Sequence, residues 1–331
     1  MAGKLDMASS TSDIAVKYAA VIAMTVLSGG CAAVSARVAP RQVEHVTGQG
    51  TPPIATVSEP VALRDPLAGV DPSGPTTHLG NRYARLVTAG LDGISEFRNR
   101  ERSVAWNGWA DGRLQNGDIV FVQSEGNLIL GFIDFSKLTR EVTESPFTHM
   151  GIVAVENGQT LIYDTNVSGP GRKTFGQMMA MSDIAGVAVK RLRRGYRQHI
   201  PAAVAYCRRV HEHQIGFDKK LRLDNDKLYC TEMVEVAFRS TGLRLSQPVR
   251  WNALPGFDKH SISINAIRIA NQAKPDDFVI IPGNDQLGIW ASPALELVLD
   301  LTDVDSPPPI PDQSRQEHDN LTASQGLAHQ S

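Results

Sequence analysis

Apolar residues recur at the spacing of an amphipathic helix in three parts of the chain. In residues 83–97, apolar and small residues fall on one helical face, and this stretch marks the predicted start of the folded domain. A second helix is predicted to begin at Pro201, since proline is favoured in the first turn. A third begins at Cys230 and ends before Gly242, a typical stop signal. The inward residues predicted for the second helix are Ala202, Ala205, Tyr206 and Val210.

A different pattern predicts a β-hairpin in the middle of the chain. Apolar runs at 152–155 and 161–163 flank Glu156-Asn157-Gly158-Gln159, and Asn-Gly between apolar runs favours a two-residue turn. Two further strands are predicted at 186–192 and 278–281. Helices and a small antiparallel sheet together predict an α+β fold.

The turn also fixes the register of the hairpin. If Glu156 pairs with Gln159, Gly151 lies opposite Asp164, and His149 and Asp164 become diagonal neighbours about 7–8 Å apart. An imidazole and a carboxylate can span that gap. Asn166 is the alternative partner of the ring if a bulge shifts the register. Asp164 could also serve only a local turn with Asn166 and Ser168.

The predicted helix at Cys230 adds a nucleophile to this pair. Cys230 falls in the first turn, where free N–H groups and the helix dipole favour a thiolate. Cys230, His149 and Asp164 therefore form a candidate catalytic triad of nucleophile, base and orienting carboxylate. The alternative is a structural cysteine, since free cysteines are often buried. Glu232 is interpreted as a negative charge that complements the helix N-terminus.

The amino-terminal residues 1–31 have the three regions of a bacterial secretory signal. Lys17 precedes the apolar stretch 18–27, and Ser28-Gly29-Gly30-Cys31 follows. The apolar stretch is too short to cross a membrane. Ending in a cysteine, the segment resembles a lipoprotein signal, which implies a lipid anchor on Cys31 and a periplasmic location in the cell envelope. The alternative is cleavage just beyond Cys31, which would release a soluble secreted protein.

Composition divides the rest of the chain into three parts. Residues 32–80 are rich in Pro, Gly, Ser and Thr without periodicity, which predicts a flexible linker. Residues 81–304 form the predicted folded domain. The segment 305–331 begins near three prolines, continues with polar residues, and is predicted to be disordered.

Charge and cysteine content limit the possible functions. The 331 residues carry a formal charge of −2, which gives no reason to expect a nucleic-acid partner. The three cysteines are Cys31, Cys207 and Cys230, so a disulfide between the last two is an alternative that would disable the nucleophile. Cys207, however, shares a helical face with Ala203 and Val210, which favours a core position.

Zinc is a second alternative for the same residues. The possible ligands are Cys230, His149, Asp164, His211 and His213. Residues two apart on a helix point in different directions, so His211 and His213 are poor partners, and no metal or cofactor is predicted.

Five short motifs give the chain a family resemblance. They are Gly117-Asp118-Ile119-Val120-Phe121, Thr148-His149-Met150-Gly151-Ile152, Tyr163-Asp164, Gly216-Phe217-Asp218 and Tyr229-Cys230-Thr231-Glu232. Together they resemble the permuted papain-like amidases of the YiiX/YaeF group, relatives of the NlpC/P60 hydrolases. The order His149, Asp164, Cys230 is that of the circular permutants. The family more often has Ser at the position of Thr231 and Glu at the position of Asp164.

The resemblance implies a circularly permuted papain-like (NlpC/P60-like) fold and a cysteine hydrolase. Its expected substrate is an amide bond in cell-wall peptides such as those of peptidoglycan, with a membrane contact through the lipid anchor. Related permuted enzymes include lipid acyl hydrolases and acyltransferases, which gives one alternative function. A non-catalytic envelope lipoprotein is the other.

Overall fold

The computed structural model describes residues 61–69, 99–125, 128–129, 133–181, 183–301, 304 and 307–308. The chain divides into two units between Ser58 and Glu59, and all described residues belong to the second unit. The predicted signal sequence at 1–31 and the predicted helix at 83–97 lie outside the described residues. No helix in the described part of the chain combines the length and apolar character needed to cross a membrane.

Six α-helices and ten strands make up the described part of the chain. The helices are α1 (Arg100–Ala110), α2 (Phe135–Thr143), α3 (Phe175–Met179), α4 (Ile200–Glu212), α5 (Cys230–Arg239) and α6 (Ser261–Asn271). The strands are β1 (Ile119–Ser124), β2 (Leu128–Ile129), β3 (Ile133–Asp134), β4 (His149–Glu156), β5 (Gln159–Asn166), β6 (Gly169–Thr174), β7 (Ile184–Leu192), β8 (Val249–Arg250), β9 (Phe278–Val279) and β10 (Leu295–Leu301).

Six of the strands form one antiparallel sheet in the order β10, β7, β1, β4, β5, β6. Alternate residues of β1 enter different cores: Ile119 and Phe121 belong to one, and Val120 and Val122 to the other. The sheet is therefore buried on both faces, which explains why β1 reads as a continuous apolar run.

Helices cover each face of this sheet. The larger core contains Val204 of α4 and Met233 of α5, so these helices pack on the face that carries Ile119. On the opposite face, Trp106 of α1 meets Phe175 of α3 with ring centroids 5.7 Å apart. The predicted class, helices packed on a small antiparallel sheet, agrees with this architecture.

The central hairpin has the register that the sequence predicts. Glu156 pairs with Gln159 and Gly151 with Asp164. Asn157 and Gly158 have φ values of 51° and 79°, the left-handed conformation that a two-residue primed turn requires at both positions. Because the side-chain period of a strand is two, this register decides which residues share a face with His149.

The predicted linker at 32–80 is wrong for residues 61–69, which pack against the domain. Leu67 is buried in the larger core, and the Tyr206 hydroxyl donates a hydrogen bond to Asp65 Oδ1 at 3.0 Å. The apolar side chains of this stretch pack in the core beside α4, and this packing orders the stretch although the residues around it have linker composition. At the other end, Val304 is buried and its carbonyl accepts the Trp106 indole N–H at 3.0 Å.

Helix α4 differs from its prediction in the residues that face inward. Tyr206 and Val210 are buried as predicted, but Ala202 and Ala205 are exposed. The buried face is centred on Ala203 instead, with Cys207 following one turn later. The bulky Tyr206 and Val210 are compatible with this face, whereas the two alanines gain little from burial.

Candidate active site

Cys230 is the first residue of α5, as its sequence predicts. Tyr229 precedes it in an extended conformation (φ −104°, ψ 170°) and is the N-cap residue. The backbone N–H of Cys230 therefore has no partner within the helix, and the positive end of the helix dipole lies beside the thiol. The residue is half-buried, in contrast to the fully buried Cys207.

The two residues that flank Cys230 are both hydrogen-bonded to the backbone of Ile280. The Ile280 N–H donates to the Tyr229 hydroxyl at 2.8 Å, and the Thr231 hydroxyl donates to the Ile280 carbonyl at 2.8 Å. Both residues are buried. Sequence reasoning did not find this role, although two hydroxyl side chains on either side of one cysteine were a visible signal. The serine that the YiiX/YaeF group more often has in place of Thr231 carries the same hydroxyl group.

His149 lies at the start of β4 and is bonded to Asp164 on β5. His149 Nε2 and Asp164 Oδ2 are 2.9 Å apart, and the side chains are 22% and 1% exposed. This bond leaves Nδ1 as the ring nitrogen available to a second partner. Asn166 instead accepts the backbone N–H of Ser168 at 2.8 Å, so the local turn uses Asn166 and the ring uses Asp164.

The pKa of His149 links the ring to Cys230 as well. Burial opposes protonation of the imidazole, but the charge of Cys230, hydrogen bonds to Asp164 and Cys230, and the charge of Asp164 outweigh it. Together they raise the pKa of His149 to about 10. The raised pKa favours the imidazolium form of the ring at neutral pH, with Asp164 and Cys230 both interacting with it.

A second cation reaches the same carboxylate. Lys173 Nζ lies 3.1 Å from Asp164 Oδ2, with its side chain 13% exposed. Burial would raise the pKa of Asp164, but the charge of Lys173 and the bond to His149 hold it well below its usual range. Sequence reasoning did not find Lys173, because its closeness to Asp164 depends on the β5–β6 register, for which the sequence offers no turn signal as strong as Asn-Gly.

Glu232 lies at the helix N-terminus, where the sequence interpretation placed it. Its side chain is buried in the first turn of α5, and burial, followed by the charge of Asp218, raises its pKa well above the usual range. The carboxyl group caps the helix through a hydrogen bond with the backbone of Tyr229.

The Gly216-Phe217-Asp218 motif shapes the loop before the nucleophile. The buried carboxylate of Asp218 accepts the backbone N–H groups of Lys220 and Arg222 and the side-chain amide of Asn225. Phe217 forms a single β-bridge with Leu228, two residues before Cys230. The motif thus has a structural role at the site.

Two alternatives from the sequence can be compared with these positions. Cys207 and Cys230 are both free thiols, so the disulfide between them is not formed. Cys207 is buried in the core, and burial raises its pKa to about 12. Across the described residues, no cluster of three or more His, Cys, Asp or Glu side chains is arranged to hold a metal ion.

An antiparallel sheet packed against a helix that begins with a cysteine defines the papain-like class of fold. Residues 113–253 match the family model described as permuted papain-like amidase enzyme, YaeF/YiiX, C92 family. This part of the chain is therefore a permuted papain-like domain of the YaeF/YiiX group, a family of cysteine peptidases and amidases. The matched region contains His149, Asp164 and Cys230.

The chain was also compared with solved structures and with curated proteins. A solved structure, titled as that of the metalloprotein YiiX from Escherichia coli O157:H7, is 19% identical to this chain with a TM-score of 0.45. The match covers 57% of this chain and 98% of that one. A search of curated proteins finds no match.

Proposed function

We propose that this papain-like cysteine amidase uses Cys230, His149 and Asp164 as its catalytic triad, and that its substrate is an amide bond in cell-wall peptides. The observation that supports the triad most strongly is the bond of His149 Nε2 to Asp164 Oδ2, with Cys230 interacting with the same ring. The family supports the amide bond, because its description is that of an amidase.

In the proposed reaction the Cys230 thiolate attacks the carbonyl carbon of the amide. The oxyanion of the tetrahedral intermediate accepts a hydrogen bond from the backbone N–H of Cys230, which has no partner within the helix. The imidazolium of His149 then gives its proton to the leaving nitrogen, and the C–N bond breaks. The products of this half-reaction are a free amine and a thioester on Cys230.

Water completes the cycle in the second half-reaction. Neutral His149 accepts a proton from a water molecule as its oxygen attacks the thioester carbon. The C–S bond breaks, the carboxylic acid leaves, and the thiolate and imidazolium are restored. Asp164 keeps one ring orientation in both halves, so that the same nitrogen serves as acid and then as base.

We also propose a cellular location for the enzyme. Lipid attachment at Cys31 in the periplasm would keep it close to the cell wall, with the segment between Cys31 and residue 61 as the tether. These residues lie outside the described part of the chain, so the support is the signal pattern alone. If Cys31 is lipidated, Cys31→Ser should accumulate as an unprocessed precursor, whereas release of a water-soluble mature form beginning beyond Cys31 would contradict the anchor.

Product analysis by mass spectrometry tests the reaction. The full-length protein is incubated with muropeptides from peptidoglycan and, separately, with phospholipid vesicles, with Cys230→Ser as the matched control. We expect a muropeptide split with addition of one water, and no product from the control. Fatty-acid release from phospholipid instead would show a lipid acyl hydrolase, and equal products from both proteins would exclude a thiol mechanism.

A further inference from the structure

Lys173 occupies a position that the proposed triad does not explain. Its ammonium group and His149 Nε2 approach the same oxygen of Asp164, at 3.1 Å and 2.9 Å. The carboxylate is 1% exposed and the lysine side chain 13% exposed, so neither charge is well solvated. Desolvating a lysine costs several kcal/mol unless the charge it approaches compensates that loss.

The strands around Asp164 leave space for both cations. Asp164 pairs with Gly151 on β4 and with Gly171 on β6, so no side chain stands directly beside it on either strand. A methyl group at Gly171 would overlap Asp164 Oδ1, and one at Gly151 would come within 3.4 Å of Asp164 Cβ. His149 and Lys173 then reach the carboxylate diagonally, each from two residues along its strand.

The charges of the site balance only when Lys173 is counted. Thiolate, imidazolium and carboxylate sum to −1, and the ammonium group brings the total to zero. The balance matters most in the thioester stage of the proposed reaction. Cys230 and His149 are then both neutral, and Asp164 would be a buried carboxylate without a counter-ion if Lys173 were absent.

We propose that Lys173 is a positioning residue that holds Asp164 as a fixed carboxylate through the whole reaction cycle and so favours the Cys230 thiolate. This inference rests on the proposed function and assigns a fourth residue to the same site. Lys173 contacts neither the substrate nor the reacting atoms in this scheme. It acts through Asp164, which in turn orients the ring of His149.

The test measures the pH dependence of Cys230 alkylation by iodoacetamide, followed by mass spectrometry in the full-length protein. Lys173→Met should move the midpoint of the profile up by about one pH unit, which is about a tenfold lower rate on the acid side. Lys173→Arg keeps the cation and should restore the wild-type midpoint. Arg172→Met, at the neighbouring position of β6, is the matched control and should leave the midpoint unchanged.

An unchanged midpoint in a folded Lys173→Met or Lys173→Gln protein would overturn the inference, because a purely structural lysine alters stability without moving this profile. A measurement on the wild-type protein covers the case in which neither variant folds. Carbon-13 NMR should show Asp164 titrating well below the usual value of about 3.9, and titration at that value would also overturn the inference. If wild-type Cys230 reacts no faster than Cys207, the proposed function fails, and the rise in the Asp164 pKa on going from wild type to Lys173→Gln then decides the role of Lys173.

Discussion

The hairpin of β4 and β5 carries a charged cluster at each end, and the two clusters are built differently. At the turn, Glu156 Oε1 accepts Arg208 Nε at 2.7 Å, and Glu156 Oε2 accepts Arg172 Nη2 at 2.7 Å. The Tyr163 hydroxyl adds a third bond at 2.9 Å. Both arginine side chains are 41% exposed, and Glu156 is 18% exposed.

At the other end, the cluster of His149, Asp164 and Lys173 is shielded from water. Both clusters lower the pKa of their carboxylate against the effect of burial, that of Glu156 to about 2. Neighbouring residues of β6 supply a cation to each, since Arg172 and Lys173 point to opposite faces of the strand. The two clusters therefore have a similar number of ion pairs, and they differ in how deeply those ion pairs are buried.

The comparison shows why only one cluster is suited to chemistry. Water screens the charges around Glu156, so their interactions change little when a proton moves. Around Asp164 the effective dielectric constant is lower, so the protonation states of Cys230, His149 and Asp164 depend strongly on one another. A site that moves protons during a reaction needs this dependence.

The largest expected difference between the two clusters is in kcat/KM after the carboxylate of each is neutralised. Asp164→Asn should lower kcat/KM for muropeptide cleavage by about 10²-fold or more, because the amide no longer balances the imidazolium of His149. Glu156→Gln should change it less than about twofold. Steady-state kinetics on the two variants make the comparison, and equal losses would mean that the clusters do not differ in function.

Truncating the same two residues should also separate them in stability. Asp164→Ala leaves Lys173 as a poorly solvated cation and should reduce the free energy of unfolding by about 3 kcal/mol or more. Glu156→Ala should cost about 1 kcal/mol or less, since its partners are exposed. Urea denaturation near pH 7 measures both values.

The pH dependence of this stability difference follows from the direction of each shift. The pKa of Asp164 is depressed on folding, so its contribution is present above the usual value of about 4 and is lost as the pH falls. The pKa of His149 is raised to about 10 on folding. The contribution of His149 to stability is therefore lost as the pH rises from about 6.5 to about 10. A wild-type advantage over Asp164→Ala that persists undiminished below about pH 2 would contradict this assignment.

The smallest expected effect concerns the reactivity of the two thiols. Cys230 should react with iodoacetamide much faster than Cys207, which is buried and has a pKa of about 12. His149→Ala should slow Cys230 by about tenfold, the effect of ~1.4 kcal/mol of lost thiolate stabilisation. Glu156→Gln serves as the control and should leave the rate unchanged. Equal labelling of both cysteines would indicate a structural role for Cys230.

The sequence was sufficient for the parts of the site that depend on local signals. The Asn157-Gly158 turn set the hairpin register and with it the diagonal relation of His149 and Asp164. The first turn of α5 followed from apolar spacing around Cys230. Both inferences use contacts between residues close in the chain or joined by a tight turn.

What the sequence could not provide depends on contacts between distant segments. Tyr229 and Thr231 bond to Ile280, which follows β9 and lies about 50 residues further along the chain. Leu67 lies in a stretch with linker composition, and its burial depends on the surface that α4 presents. The raised pKa of Glu232 depends on its burial and on the charge of Asp218, and no local signal in the sequence reveals either.

The central claim is that His149 is held as an imidazolium between the Cys230 thiolate and the Asp164 carboxylate. NMR titration of the His149 ring in the wild-type protein and in Cys230→Ala tests it most directly. The account predicts that the wild-type ring stays protonated through neutral pH, with a pKa near the value of about 10, and that the pKa of the ring falls in Cys230→Ala. A His149 ring that titrates near the ordinary value of about 6.5 and does not respond to loss of Cys230 would contradict it.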